Sequence, residues 1–74
     1  MEENKGIIYK STFKDNLREL RKEKKLSQKE FAKMLGVPSS TYANWEQGRR
    51  EPNVSDIFNI ITTLGIEPNE LFNI

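Results

Sequence analysis

Apolar residues recur at helical spacing along most of this chain, and the pattern divides it into five short helices. Phe13, Leu17 and Leu20 stand at i, i+4 and i+7 and predict a first helix over 12–24, with Thr12 and Asp15 as its start signal. Phe31 and Leu35 lie four apart, and Tyr42 and Trp45 three apart, which predicts two further helices with one buried face each. Ile57, Ile60, Ile61 and Leu64 repeat at i, i+3, i+4 and i+7; Asn53 with Asp56 opens that helix and Gly65 ends it. Pro68 begins a short fifth helix, whose Leu71 and Phe72 close the core. Residues 1–11 lack this period. Gly6-Ile7-Ile8-Tyr9 is an apolar run too short to separate a strand from a docked arm, so 1–11 reads as an N-terminal arm ahead of one helical domain over 12–74.

Residues 27–48 carry the most information. Ser27 is an N-cap and Glu30 completes a capping box, each side chain taking the other's backbone amide. Leu26 and Phe31 can close a hydrophobic staple over that box. Gly36 stops the helix, where a left-handed residue costs least without a Cβ. Val37-Pro38 restarts the chain, since proline fits the first turn of a helix. The helix over 38–47 then ends at Gly48. Ala32 sits where the two helices would cross, its methyl allowing close approach. Setting aside the buried positions leaves Ser39, Ser40, Ala43, Asn44 and Gln47 facing outward. That face is small, neutral and rich in hydrogen-bonding groups, whereas a solvated helix face usually carries Glu and Lys.

Charge sharpens the picture by its distribution. The 74 residues hold twelve Lys and Arg against eleven Asp and Glu, a net charge of only +1. Residues 51–74 carry four acids and no base, so they sum to −4 and residues 1–50 to +5. A basic end and an acidic end orient a protein on a polyanion. There is no Cys and no His, which excludes a disulfide framework, a thiolate metal site and His-based catalysis. A lone Ser has no base beside it, so an enzyme is not expected. No apolar run approaches the length that spans a bilayer, and nothing reads as a signal peptide; a cytoplasmic protein with no membrane contact follows. No cofactor and no small-molecule ligand is implied.

The stretch resembles the helix-turn-helix of the phage-repressor and Cro type, the XRE-type family. The resemblance rests on Gln28, Ala32, Gly36, Tyr42 and Trp45-Glu46, then Gly48-Arg49-Arg50-Glu51-Pro52, Leu64-Gly65-Ile66 and Glu70-Leu71-Phe72. It covers about residues 13–72, and the ordered set is far more specific than any one residue. It implies an all-α, compact five-helix bundle of the phage-repressor type. It also implies that Arg21 and Glu46 form a partly buried structural ion pair, and that the loop with Arg49 and Arg50 meets the DNA backbone. One departure matters: the N-cap of the recognition helix, usually Ser or Thr in the family, is here Pro38, which lacks a side-chain contact to phosphate.

In this docking geometry the second helix of the pair enters the major groove with its N-terminal residues near base edges. Ser39 and Ser40 then lead, Ala43 can touch a thymine methyl, and Asn44 can bond adenine N6 and N7 together. Gln28 with the first amides of its helix suits a phosphate, as do Arg49 and Arg50; Thr41 and Gln47 flank the reading face. The function implied is sequence-specific binding of double-stranded DNA by a transcriptional regulator, a repressor by occlusion. The alternative is a protein-interaction module on the same fold, such as an antitoxin. One such helix reads few base pairs, so a homodimer on a palindromic operator is expected, with Ile66, Phe72 and Ile74 as its contact.

Overall fold

Ser27 accepts the Glu30 amide at 3.0 Å and Glu30 accepts the Ser27 amide at 2.8 Å, so the capping box opens its helix with two free amides satisfied. Its other end closes at Gly36, φ +76°, where Gly36 N–H donates to Lys33 O and Val37 N–H to Ala32 O. The computed structural model describes residues 5–72, with side-chain surroundings from Phe13 onward. Over that range the chain forms α1 (Lys5–Glu23), α2 (Gln28–Leu35), α3 (Ser39–Gln47), α4 (Val54–Leu64) and α5 (Pro68–Phe72). Among the described residues there is no strand. The fold is the all-α five-helix arrangement that the apolar spacing implies.

The α1 helix packs against α5 and α3, while α2 packs against α3 and α4. Phe13, Leu17, Phe31, Ala32, Leu35, Tyr42, Trp45, Ile60 and Leu71 form one buried core. Phe31 and Tyr42 meet edge to face at 5.3 Å between ring centres, and Tyr42 meets Trp45 at 6.2 Å, so both α3 aromatics are core residues. Leu20, Leu26, Val37, Ile61, Leu64, Ile66 and Phe72 pack against this centre. Two asparagines tie the periphery to it: Asn16 Nδ2 donates to Leu71 O at 2.9 Å, and Asn59 Nδ2 to Leu35 O at 2.6 Å. The second satisfies a carbonyl at the end of α2 that the helix itself leaves open.

The structure departs from the sequence reading at the start of α1. That helix begins at Lys5, not Thr12, so most of the segment read as an arm has helical backbone; Met1–Asn4 lie outside the described residues. Nothing between Ile7 and Thr12 blocks a helix: there is no proline, and Gly6 costs only about 1 kcal/mol against Ala. The Thr12–Asp15 signal falls inside the helix and is not used as a cap. Helix α4 also differs in detail, since Ile60 is fully buried whereas Ile57 is only half-buried.

Candidate nucleic-acid interface

The α3 helix presents Ser39, Ser40 and Gln47 exposed and Thr41, Ala43 and Asn44 half-exposed. Among the described residues, the side chains of Ser39, Ser40, Thr41, Asn44 and Gln47 make no internal hydrogen bond. Their donors and acceptors are therefore all available to a ligand. Pro38 stands at the N-cap in extended conformation with no side-chain hydrogen bond to α3. The helix starts at Ser39, so the first exposed hydroxyls coincide with its first free amides.

Rigid presentation comes from the opposite side of the helix, where Glu46 is buried at 6% exposure. Its Oε2 accepts from Arg21 Nε at 2.7 Å and from the Tyr42 hydroxyl, and its Oε1 accepts from Gln28 Nε2 at 2.8 Å. Arg21 Nη2 approaches Oε1 at 3.4 Å, while Nη1 donates to Leu26 O at 2.8 Å. One carboxylate thus joins α1, the start of α2 and α3. Burial pushes the Glu46 carboxyl up, but the hydrogen bonds from Arg21, Tyr42 and Gln28 and the guanidinium charge more than reverse this, holding it below its ordinary 4.5. Burial pushes the Tyr42 hydroxyl well above its ordinary 10, and the bond to Glu46 adds to the rise. The hydrogen bond to Glu46 raises Arg21 further, so the pair is ionised at neutral pH.

Gln28 occupies the first position of α2, half-buried, with one Nε2–H committed to Glu46. This internal bond has no signal in residue spacing. It leaves the second N–H and the free amides of the α2 N-terminus for an anion. At the other end of α3, Gly48 takes φ +76° and Arg49 N–H donates to Asn44 O at 3.0 Å. The residue expected to read a base is thereby joined through backbone to the loop of Arg49 and Arg50, both exposed.

Of the residues expected at a dimer contact, Ile66 and Phe72 turn inward: both pack against the core, and Phe72 stacks on Phe13 at 5.5 Å. Ile74 lies outside the described residues. Among the described residues, the large apolar side chains left exposed are Val54 at 70% and Phe58 at 66%, both on α4, and Met34 at 42%. Among the described residues no helix is long and apolar enough to cross a membrane.

Five helices, a capped pair with a left-handed turn and an unspent polar face on its second member define a helix-turn-helix protein. The chain belongs to the helix-turn-helix family of the XRE type, whose family model, "Helix-turn-helix", matches residues 17–71. It is similar to the "Uncharacterized HTH-type transcriptional regulator YqaE" of Bacillus subtilis, 39% identical over 54 residues, 73% of this chain and 47% of that protein. It is similar to "Control protein C.MunI" of a Mycoplasma species, 37% identical over 65 residues, 86% of this chain and 88% of that protein. It also resembles the "Cryptic phage CTXphi transcriptional repressor RstR" of Vibrio cholerae, 32% identical over 59 residues, 80% of this chain and 53% of that protein. The chain thus spans about half the length of YqaE and RstR but nearly all of the control protein's. No solved structure gives a significant match.

Proposed function

We propose that this chain binds double-stranded DNA sequence-specifically and regulates transcription in the cytoplasm, acting as a repressor by occluding its site. The observation that carries this reading is the α3 face of Ser39, Ser40, Asn44 and Gln47, whose side-chain polar groups have no partner among the described residues while the back of the helix is fixed by Glu46. Asn44 reads a base, Ser39 and Ser40 read edges directly or through water, and Ala43 meets a thymine methyl. Thr41 and Gln47 lie beside them, and Gln28, Arg49 and Arg50 hold phosphates. The relatives named as transcriptional regulators and a repressor support a regulator over an enzyme, and over an antitoxin-like protein-interaction module.

The working unit on DNA is a homodimer on a palindromic operator. Because Ile66 and Phe72 are partly buried against the core, we place the contact toward α4, where Val54 and Phe58 remain exposed. Selection of bound duplexes from a random library tests the whole reading. Enrichment of one two-fold symmetric sequence, bound with a steep salt dependence, is the expected result. Failure to enrich any sequence, together with salt-independent binding, overturns it.

A further inference from the structure

Gly48 leaves space as well as conformation. A Cβ at that position would stand 3.3 Å from Lys14 Cδ, 3.6 Å from its Nζ and 3.9 Å from its Cε. The end of the Lys14 side chain, from α1, therefore lies against the turn that closes α3. Lys14 is half-buried, whereas Lys22, Lys24, Lys25, Lys29 and Lys33 are all exposed. A stem laid on the protein with its ammonium carried to the edge is the way lysine reconciles an apolar chain with a hydrated charge.

Among the described residues no anion is paired with Lys14, and it has no hydrogen-bond partner. Its neighbour Asp15 is taken by Arg18 at 3.0 Å, and Glu46 by Arg21 at 2.7 Å. The turn it lies on continues directly into Arg49 and Arg50, both exposed. Lys14 thus lies on a turn whose next residues add two cations, Arg49 and Arg50, before the acid Glu51, and cations held near one another repel unless an anion answers them.

We propose that Lys14 joins Arg49 and Arg50 in a phosphodiester-binding subsite at the corner of α1 and the α3–α4 loop, with Gly48 kept free of a Cβ so that the lysine can reach it. The ligand is the sugar–phosphate backbone, read without regard to base sequence. This rests on the DNA-binding reading above and extends it to a helix outside the helix-turn-helix. The competing explanation is structural: a cation near the C-terminus of α3 complements the helix dipole and needs no ligand.

Salt titration separates the two, because a phosphate contact contributes about 0.9 to the slope of log affinity against log salt and a dipole contact contributes nothing to it. The whole chain is titrated with a short duplex of random sequence, as wild type, Lys14→Gln, Lys14→Arg, Arg49→Ala and Arg50→Ala, with thermal unfolding as the check on folding. Lys14→Gln is expected to lower the slope by about 0.9, so that the affinity lost between ~50 and ~200 mM salt shrinks about three- to fourfold. Lys14→Arg is expected to restore the slope. An unchanged slope in Lys14→Gln, with the arginine variants lowering theirs, overturns the subsite and leaves Lys14 a dipole partner. An unchanged slope in all the variants instead removes the DNA contact of the loop itself.

Discussion

Gln28 of α2 and Glu46 of α3 are joined at 2.8 Å, so the first residue of one helix is positioned by a buried carboxylate of the next. The same carboxylate holds Arg21 and Tyr42, and no buried side-chain nitrogen or oxygen among the described residues lacks a partner. Removing one member strands the others in a poorly hydrated place. Glu46→Ala is expected to cost up to about 3–5 kcal/mol, the figure for a fully buried pair, since it leaves the partly buried Arg21 guanidinium without its counter-charge. Arg21→Met combined with Glu46→Leu is expected to cost much less, because no charge is then left buried. Urea denaturation of the single and double variants measures this; equal small losses in both would mean that the pair contributes little.

Acid should weaken the fold through the same group. The Glu46 carboxyl titrates lower in the folded chain than its ordinary 4.5, so its contribution is complete above that value and is lost as pH falls through the folded pKa. Tyr42 works with the opposite sign: its folded pKa lies above 10, so its contribution is complete below pH 10 and declines as the pH rises further. Stability is expected to plateau through neutral pH and fall on both sides. Glu46→Gln should flatten the acid limb and Tyr42→Phe the alkaline limb, each read from denaturation midpoints across pH. An acid limb that keeps its full slope in Glu46→Gln would assign it to other carboxylates.

Base reading and phosphate holding should separate by mutation. Asn44 is half-exposed, its side chain makes no hydrogen bond among the described residues, and its carbonyl is fixed by the turn into the arginine loop. Asn44→Ala is expected to cost about 1–3 kcal/mol on the preferred site and to relax preference at one base pair, with the salt slope unchanged. Arg49→Ala or Arg50→Ala is expected to weaken all sequences alike and lower the slope by about one. Competition binding with single-base-pair variants of the site decides it. Altered base preference in an arginine variant, with none in Asn44→Ala, reverses the assignment.

The helix pair was legible because its signals are local. Ser27 and Glu30 are three residues apart, and Gly36 and Gly48 mark left-handed turns that other residues enter at a cost. Apart from the Arg21–Glu46 pair, which the family resemblance implied, long-range polar bonds were not legible: nothing in spacing links Asn59 to Leu35, or Gln28 to Glu46. The end of α1, expected at 24 and found at Glu23, is set without a glycine signal. Lys25 takes the left-handed position at φ 59°, where the sequence offers no glycine to mark it. That conformation costs a residue with a Cβ roughly 1–2 kcal/mol. Lys25→Gly is therefore expected to stabilise the chain by about 0.5–1 kcal/mol, after allowance for glycine's greater freedom when unfolded. A lowered thermal midpoint in this variant would mean that the lysine contributes more than its backbone costs.

Pairing on DNA makes the last prediction. On the proposed reading, a single α3 with two serines and an asparagine would contact only a few base pairs, too little to select one site in a genome. Two copies related by a two-fold axis double the site and set half-sites roughly 34 Å apart. The acidic C-terminal third of the chain, −4 over residues 51–74, resists a second copy except where it is uncharged. Val54, Ile57, Phe58 and Ile61 stand at i, i+3, i+4 and i+7 on α4, an uncharged stripe whose outer members are 70% and 66% exposed at Val54 and Phe58. Phe58→Ser is expected to change folding stability by less than about 1 kcal/mol because the ring packs little in one copy. It should leave binding to a single half-site intact and weaken binding to the paired site, as seen by sedimentation and by titration of the two duplexes. Truncating Phe72 should instead destabilise the fold, since that ring stacks on Phe13. Wild-type affinity of Phe58→Ser for the paired site, or one copy bound at full affinity to a non-palindromic site, would remove α4 or the dimer respectively.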